Sequence, residues 1–154
     1  MFDISALKNT NGPWVFQTED REEKFKFTDP IILSGDAMQT TDDAYNERYK
    51  KLRAPDYAGK NYNALLEILT DLEWIDQKEY VLFFQNSENI LIKEKRTVLE
   101  GLIETLSSAG EEWSKPINLG VAWDRPAIPF HVIFQLKEIN IKSEFDYLPV
   151  IIYK

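Results

Sequence analysis

Few residues in this sequence could do covalent or acid–base chemistry. The single histidine, His131, stands inside the apolar run Pro129-Phe130-His131-Val132-Ile133-Phe134. An imidazole is the usual general base near neutral pH. No evident partner accompanies this one, so it reads as a strand histidine hydrogen-bonded within its own surroundings. There is no cysteine, which excludes disulfides, thiolate zinc sites and a cysteine nucleophile, and suits a reducing cytoplasm. The doublets Asp42-Asp43 and Glu111-Glu112 are of the helix-end or loop kind and lack the glycine of a calcium loop. Carboxylate pairs for glycoside hydrolysis are spatial, and a sequence does not display them. Gly12, Gly35, Gly59, Gly101, Gly110 and Gly120 are scattered singly, so they build no phosphate loop, dinucleotide fingerprint or nucleophile elbow. Neither a metal nor an organic cofactor is expected, and enzyme chemistry has no support.

What remains is polar spacing on a turn and a helix: Tyr57, Gly59, Asn61, Asn63 and Glu67, with Glu104 on the exposed face of a later helix. By themselves these residues read as a solvated polar face. The chain has 154 residues and a net charge of −8. That balance opposes nucleic acid and anionic lipid and favours a basic partner, although acidity also serves solubility alone. Lys50-Lys51 and Arg53 form the one basic cluster, at a helix end where it complements the dipole. No apolar stretch approaches the ~20 residues of a membrane span, and the opening MFDISALKNTNGP has no basic or long apolar leader.

The elements that must position these residues follow from periodicity. Trp14-Val15-Phe16 could open a strand, residues 19–24 form a charged turn or short helix, and Phe25 and Phe27 alternate with lysine as in a strand. Ile31-Ile32-Leu33, Tyr80 to Phe84 and Phe130 to Leu136 are unalternating apolar runs, the pattern of strands covered on both faces. One helix begins at Thr41, with Tyr45, Tyr49 and Leu52 as its apolar stripe and Pro55 beyond its end. A second opens at the N-cap Asn61 and runs to about Leu72. At about 100° per residue, Leu65, Ile68, Leu69 and Leu72 share its buried face, and Asn63, Glu67 and Thr70 face water. A third runs from about Lys93 to Ala109, with Gly110 as its stop. Val150 to Tyr153 is a possible last strand. The order is α/β, with a parallel sheet and right-handed crossovers.

The run Ala54-Pro55-Asp56-Tyr57-Ala58-Gly59-Lys60-Asn61-Tyr62-Asn63-Ala64-Leu65-Leu66-Glu67 resembles the signature of the barstar family. There, a proline, acidic and aromatic turn leads through Gly-x-Asn into an acidic residue, Ala-Leu and a helix. The strand ending in Gly35-Asp36 and the run Pro126 to His131 are similar to that family too. The resemblance implies one barstar-like domain over 1–154, with a family-like core at about 30–136 and extensions 1–29 and 137–154. Its expected fold is a three-stranded parallel central sheet packed with helices, with extra strands from the extensions. It also implies a cytoplasmic immunity protein that binds a basic ribonuclease, or another toxin protein, one to one. Glu67 takes the place of the family's acidic plug, Tyr57 and Gly59 that of its turn contacts, Asn61 that of the asparagine shaping the turn, and Glu104 that of an acidic contact on the later helix. Asn63 replaces an acidic residue one turn before the plug, Ala58 a common second tyrosine, and Leu66 a tryptophan. Those departures imply a partner other than the type enzyme.

Overall fold

Two strands, β4 (Tyr80–Gln85) and β5 (Phe130–Gln135), are apolar at nearly every position and buried along their length. Such strands need cover on both faces. In a computed structural model that describes residues 1–55 and 57–154, they pair in parallel at the centre of a four-stranded sheet, with Tyr80 opposite Phe130 and Phe84 opposite Phe134. Asp56, part of the expected turn, lies outside the described residues. β3 (Ile31–Ser34) flanks β4, and β2 (Val15–Thr18) flanks β5, giving the order β2-β5-β4-β3 with every pairing parallel. The three core strands β3, β4 and β5 are thus joined at one edge by β2, an extra strand from the N-terminal extension as the sequence led one to expect. The last strand does not extend this sheet. β6 (Ile151–Ile152) pairs in parallel with β1 (Phe2–Asp3), tied to β2 by a single bridge between Val150 and Gln17.

One face of the sheet carries Leu33, Leu82, Phe84, Val132 and Phe134, packed under three helices, α1 (Thr41–Leu52), α2 (Tyr62–Asp71) and α3 (Arg96–Trp113). The helices close over it with Tyr45, Leu52, Leu65, Leu69, Leu99, Leu102 and Leu106. Each fully buried large side chain contributes about 1.5–3 kcal/mol of transfer free energy. The opposite face, with Phe16, Val81, Phe83 and Ile133, is covered by the terminal segments through Leu7, Phe25 and Ile151. Among the described residues no helix is long and apolar enough to cross a membrane.

Several sequence expectations give way to packing. Residues 22–28 form a 3₁₀ helix rather than a strand. Its three-residue repeat puts Phe25 and Thr28 on the buried side, with the Phe25 ring centroid 5.4 Å from that of Phe83, and leaves Phe27 exposed. The third helix continues to Trp113, so Gly110 is interior and not a stop. Trp14 lies against Gly110, where any Cβ would overlap its side chain. Arg48 of α1 is a buried charge. It is 2% exposed, its guanidinium lies 4.4 Å from the Tyr45 ring centroid, and Nε and Nη1 have no hydrogen-bond partner.

His131 is a strand residue as expected, but it is not hydrogen-bonded. It is fully buried beside Phe16, and neither ring nitrogen has a partner. Burial alone holds its pKa down, from 6.5 to about 4. The fold thus keeps the imidazole neutral, while the unfolded chain takes up its proton near pH 6.5. The contribution is complete above about pH 6.5 and is lost as pH falls towards about 4, which amounts to about 3 kcal/mol. Urea denaturation at pH 7.5 and pH 4.5 measures the effect. His131→Phe should lose less stability than the wild type over that interval, by roughly this amount, and equal losses in the two proteins would contradict the assignment.

Candidate functional site

The turn before α2 is held by its own polar groups. Ala54 N donates to Tyr49 O (2.9 Å), the Tyr49 hydroxyl donates to Gly59 O (2.5 Å), and Lys60 pairs with Asp42 at 2.9 Å. Asn61 is the N-cap, its Oδ1 accepting from Ala64 N at 2.8 Å. It satisfies one of the first amides of the helix and fixes where the helix starts. Below, Arg53 donates to Trp74 O (3.3 Å) and the Trp74 indole donates to Leu52 O (2.8 Å), joining the end of α1 to the segment after α2. Arg53 thus has a structural partner beyond the dipole match that its position suggests.

The bearing of α2 is set from behind. Leu65 and Leu69 are fully buried, Trp113 donates to Leu69 O at 2.7 Å, and the Tyr62 hydroxyl donates to Val98 O on α3. At Gly101 of α3 a Cβ would come within 2.7 Å of Tyr62 Cε2, so glycine is what allows this close approach. With one stripe pinned, the helical repeat turns Asn63 and Glu67 outwards, and both are exposed.

Tyr57, Gly59 and Glu67 come together on one groove of about 420 Å³ between the turn and α2, floored by Ala64 and Ile68. Tyr57 is 90% exposed. Asn61 shapes the groove from beneath as the cap, and Asn63 stands one helical turn above Glu67 without lining it. Glu104 does not line it either. It stands on α3 near Tyr147, whose hydroxyl pKa is raised by burial and then by the Glu100 and Glu104 carboxylates. Leu66, at the position of the family's tryptophan, is half-buried and packs on the core, while Ala58 is part of the groove wall.

Asp71, Glu73 and Trp74 also line the groove, and sequence reasoning missed them. Asp71 repeats the four-residue step from Asn63 to Glu67, a signal that could have found it. Glu73 and Trp74 follow the helix end and had no periodic signal. Among the described residues none of Glu67, Asp71 and Glu73 is within ion-pair distance of a basic side chain. Nor is any group of three or more histidine, aspartate or glutamate residues placed to hold a metal ion. The arrangement can present negative charge and a tyrosine ring, on a braced backbone, to a cationic surface.

The family model described as Barstar (barnase inhibitor) matches residues 28–135. The chain belongs to the barstar family. No curated protein sequence matches it. The matched stretch spans α1, the turn, α2, α3 and the strands β3, β4 and β5, whereas most of the cover over the second sheet face comes from outside it.

Stability and presentation separate cleanly at this face. Asn61→Ala should cost about 1 kcal/mol, since it removes the cap of α2. Asn63→Ala and Glu67→Ala should each change stability by less than about 0.5 kcal/mol, because those side chains are exposed and make no hydrogen bond among the described residues. Chemical denaturation of the three variants checks the ranking.

Proposed function

We propose that this protein binds a basic toxin ribonuclease one to one and blocks its active site, protecting the cell that makes the toxin. The observation that carries the reading is the groove in which Glu67, Asp71 and Glu73 make no ion pair among the described residues, beside an exposed Tyr57. A ribonuclease site is cationic because it holds phosphate. A carboxylate on a rigid helix takes the place of that phosphate and accepts charge-assisted hydrogen bonds from lysine or arginine. The net charge of −8 adds attraction over distance and speeds encounter. Inhibition comes from occupancy, so no residue here turns over substrate. The target is a protein in the cytoplasm and not a nucleic acid or a membrane. Asn63, Ala58 and Leu66 depart from the family at the turn and helix, which favours a partner other than barnase, either a different ribonuclease or another basic toxin.

Titration of wild-type protein against barnase and three other small basic microbial ribonucleases tests this. Stoichiometric inhibition of at least one of them is expected, and Glu67→Lys should abolish it. Glu67→Ala should weaken binding by about 2 kcal/mol or more, roughly 30-fold, in a range that the barnase–barstar pair, this family's own example, helped to set. Added salt should slow association more than it speeds release, as expected for long-range steering around a desolvated pair. If Glu67→Lys inhibits as well as the wild type, the plug assignment is wrong.

A further inference from the structure

The segment between α3 and β5 is braced well beyond what a simple connection needs. Ile117 and Arg125 close its base as an antiparallel bridge, with hydrogen bonds of 2.8 and 3.0 Å. The Asp124 carboxylate accepts from Leu119 N at 3.0 Å and from Gly120 N at 2.8 Å, and Gly120 takes the φ of +77° that the turn requires. Arg125 stacks on Trp113 with its guanidinium carbon 3.6 Å from the ring centroid, and its Nη1 donates to Thr70 O at 2.8 Å. The loop is thereby fastened to the ends of both α2 and α3. Its tip nevertheless holds Leu119 at 76% and Trp123 at 67% exposure. Neither side chain contributes to the core, so the bracing serves their presentation.

The surface beside the tip is continuous with the groove. Trp123 walls a hollow of about 300 Å³ whose lining includes three carboxylates, Asp71, Glu73 and Asp76, and one cation, Arg125, and two of the carboxylates, Asp71 and Glu73, also line the groove of Glu67. None of the three makes an ion pair among the described residues. An exposed tryptophan on a pre-formed loop loses little entropy on docking, and tryptophan is enriched among the residues that dominate interfaces.

We propose that the loop over residues 117–125 is a second part of the partner interface, in which Leu119 and Trp123 dock on the apolar rim beside the cationic cleft of the same basic protein, whose outlying lysine or arginine side chains meet Asp71, Glu73 and Asp76. The inference rests on the reading of the Glu67 groove as an interface with a basic protein. The loop then selects among basic ribonucleases by shape, while the carboxylates attract them all.

The test compares wild type, Leu119→Ser/Trp123→Ser and Glu67→Lys for binding to barnase and the same three basic ribonucleases, by surface-immobilised kinetics. The double variant removes exposed side chains only and should keep the wild-type thermal midpoint. It is expected to release the bound ribonuclease at least 10-fold faster at an unchanged association rate, because no charge has moved. The emission lost in Trp123→Phe, which separates Trp123 from Trp14, Trp74 and Trp113, should be shielded from acrylamide when the wild type binds. Wild-type kinetics in the double variant, together with unshielded Trp123, overturn the inference and leave the Glu67 reading intact. Faster release by the double variant with full binding by Glu67→Lys overturns the Glu67 reading and keeps the loop as an interface. Failure of the wild type to bind any of the four overturns both. Sedimentation of the free protein as a dimer that the double variant abolishes also overturns the inference, since the tip would then seat a second copy.

Discussion

Everything in this structure follows from a sheet whose two middle strands are apolar on both sides. β4 and β5 put Leu82, Phe84, Val132 and Phe134 on one face and Val81, Phe83 and Ile133 on the other. An uncovered face of that kind would cost several kcal/mol of hydration per few residues. Three helices bury the first face. The second is buried by the two chain ends, with Leu7 and Phe25 from one side and Ile151 from the other. The same demand explains His131. Its position in β5 lies on the second face, where the terminal segments that shield the phenylalanines shield the imidazole as well and offer it no polar group. It is tolerated there because a neutral imidazole is cheaper to bury than a charged one.

How far the fold could be read from the sequence depended on whether a signal was local. β3, β4 and β5 and the starts of α1 and α2 were legible because unbroken apolar runs, the apolar stripes and the Asn61 cap act within a few residues, whereas β1 is two residues long and had no such signal. The end of α3 was not legible. A glycine after a periodic stretch looks like a stop, and only the side chain of Trp14, almost a hundred positions away in sequence, shows why Gly110 has no Cβ. The alternation of Phe25 and Phe27 with lysine suggested a strand, and a 3₁₀ turn with a three-residue repeat buried Phe25 instead. The burial of Arg48 had no sequence signal, because it depends on α1 meeting its neighbours. At the candidate site, Tyr57, Gly59 and Glu67 were legible from the turn-helix signature. Glu73 and Trp74 were not, because no periodicity reaches beyond a helix end.

The candidate face is rigid for reasons that lie outside it. Tyr49, Asp42 and Asn61 hold the turn, and Leu65, Leu69 and Tyr62 fix the roll of α2. Little of that network uses a side chain that a partner would touch. The carboxylates are left in water, where an unpaired charge costs the folded state little, and on the proposed reading they lose hydration only when a cationic surface arrives to replace it. Rigidity also lowers the conformational entropy lost on binding. A flexible turn bearing the same residues would be as acidic and would bind less tightly.

This separation bears on how such a protein changes partner. A substitution at an exposed position of the face alters what meets the ligand and leaves the core unstrained, so its effect on stability stays within a few tenths of a kcal/mol. A substitution among the braces does the reverse, because it moves the whole face at once. Asn63 belongs to the first kind, and Ala58, half-buried in the groove wall, stands between the two. Leu66 is intermediate: it is half-buried, packs on the core and exchanges an aromatic surface for an aliphatic one. If the face is the interface proposed above, variation concentrated at such positions retunes recognition while the sheet, its double cover and the cap at Asn61 stay as they are. The loop carrying Leu119 and Trp123 obeys the same rule, since Asp124 and Arg125 secure its backbone from below. The physical economy of the fold therefore lies in keeping the atoms that hold a surface in place distinct from the atoms that the surface displays.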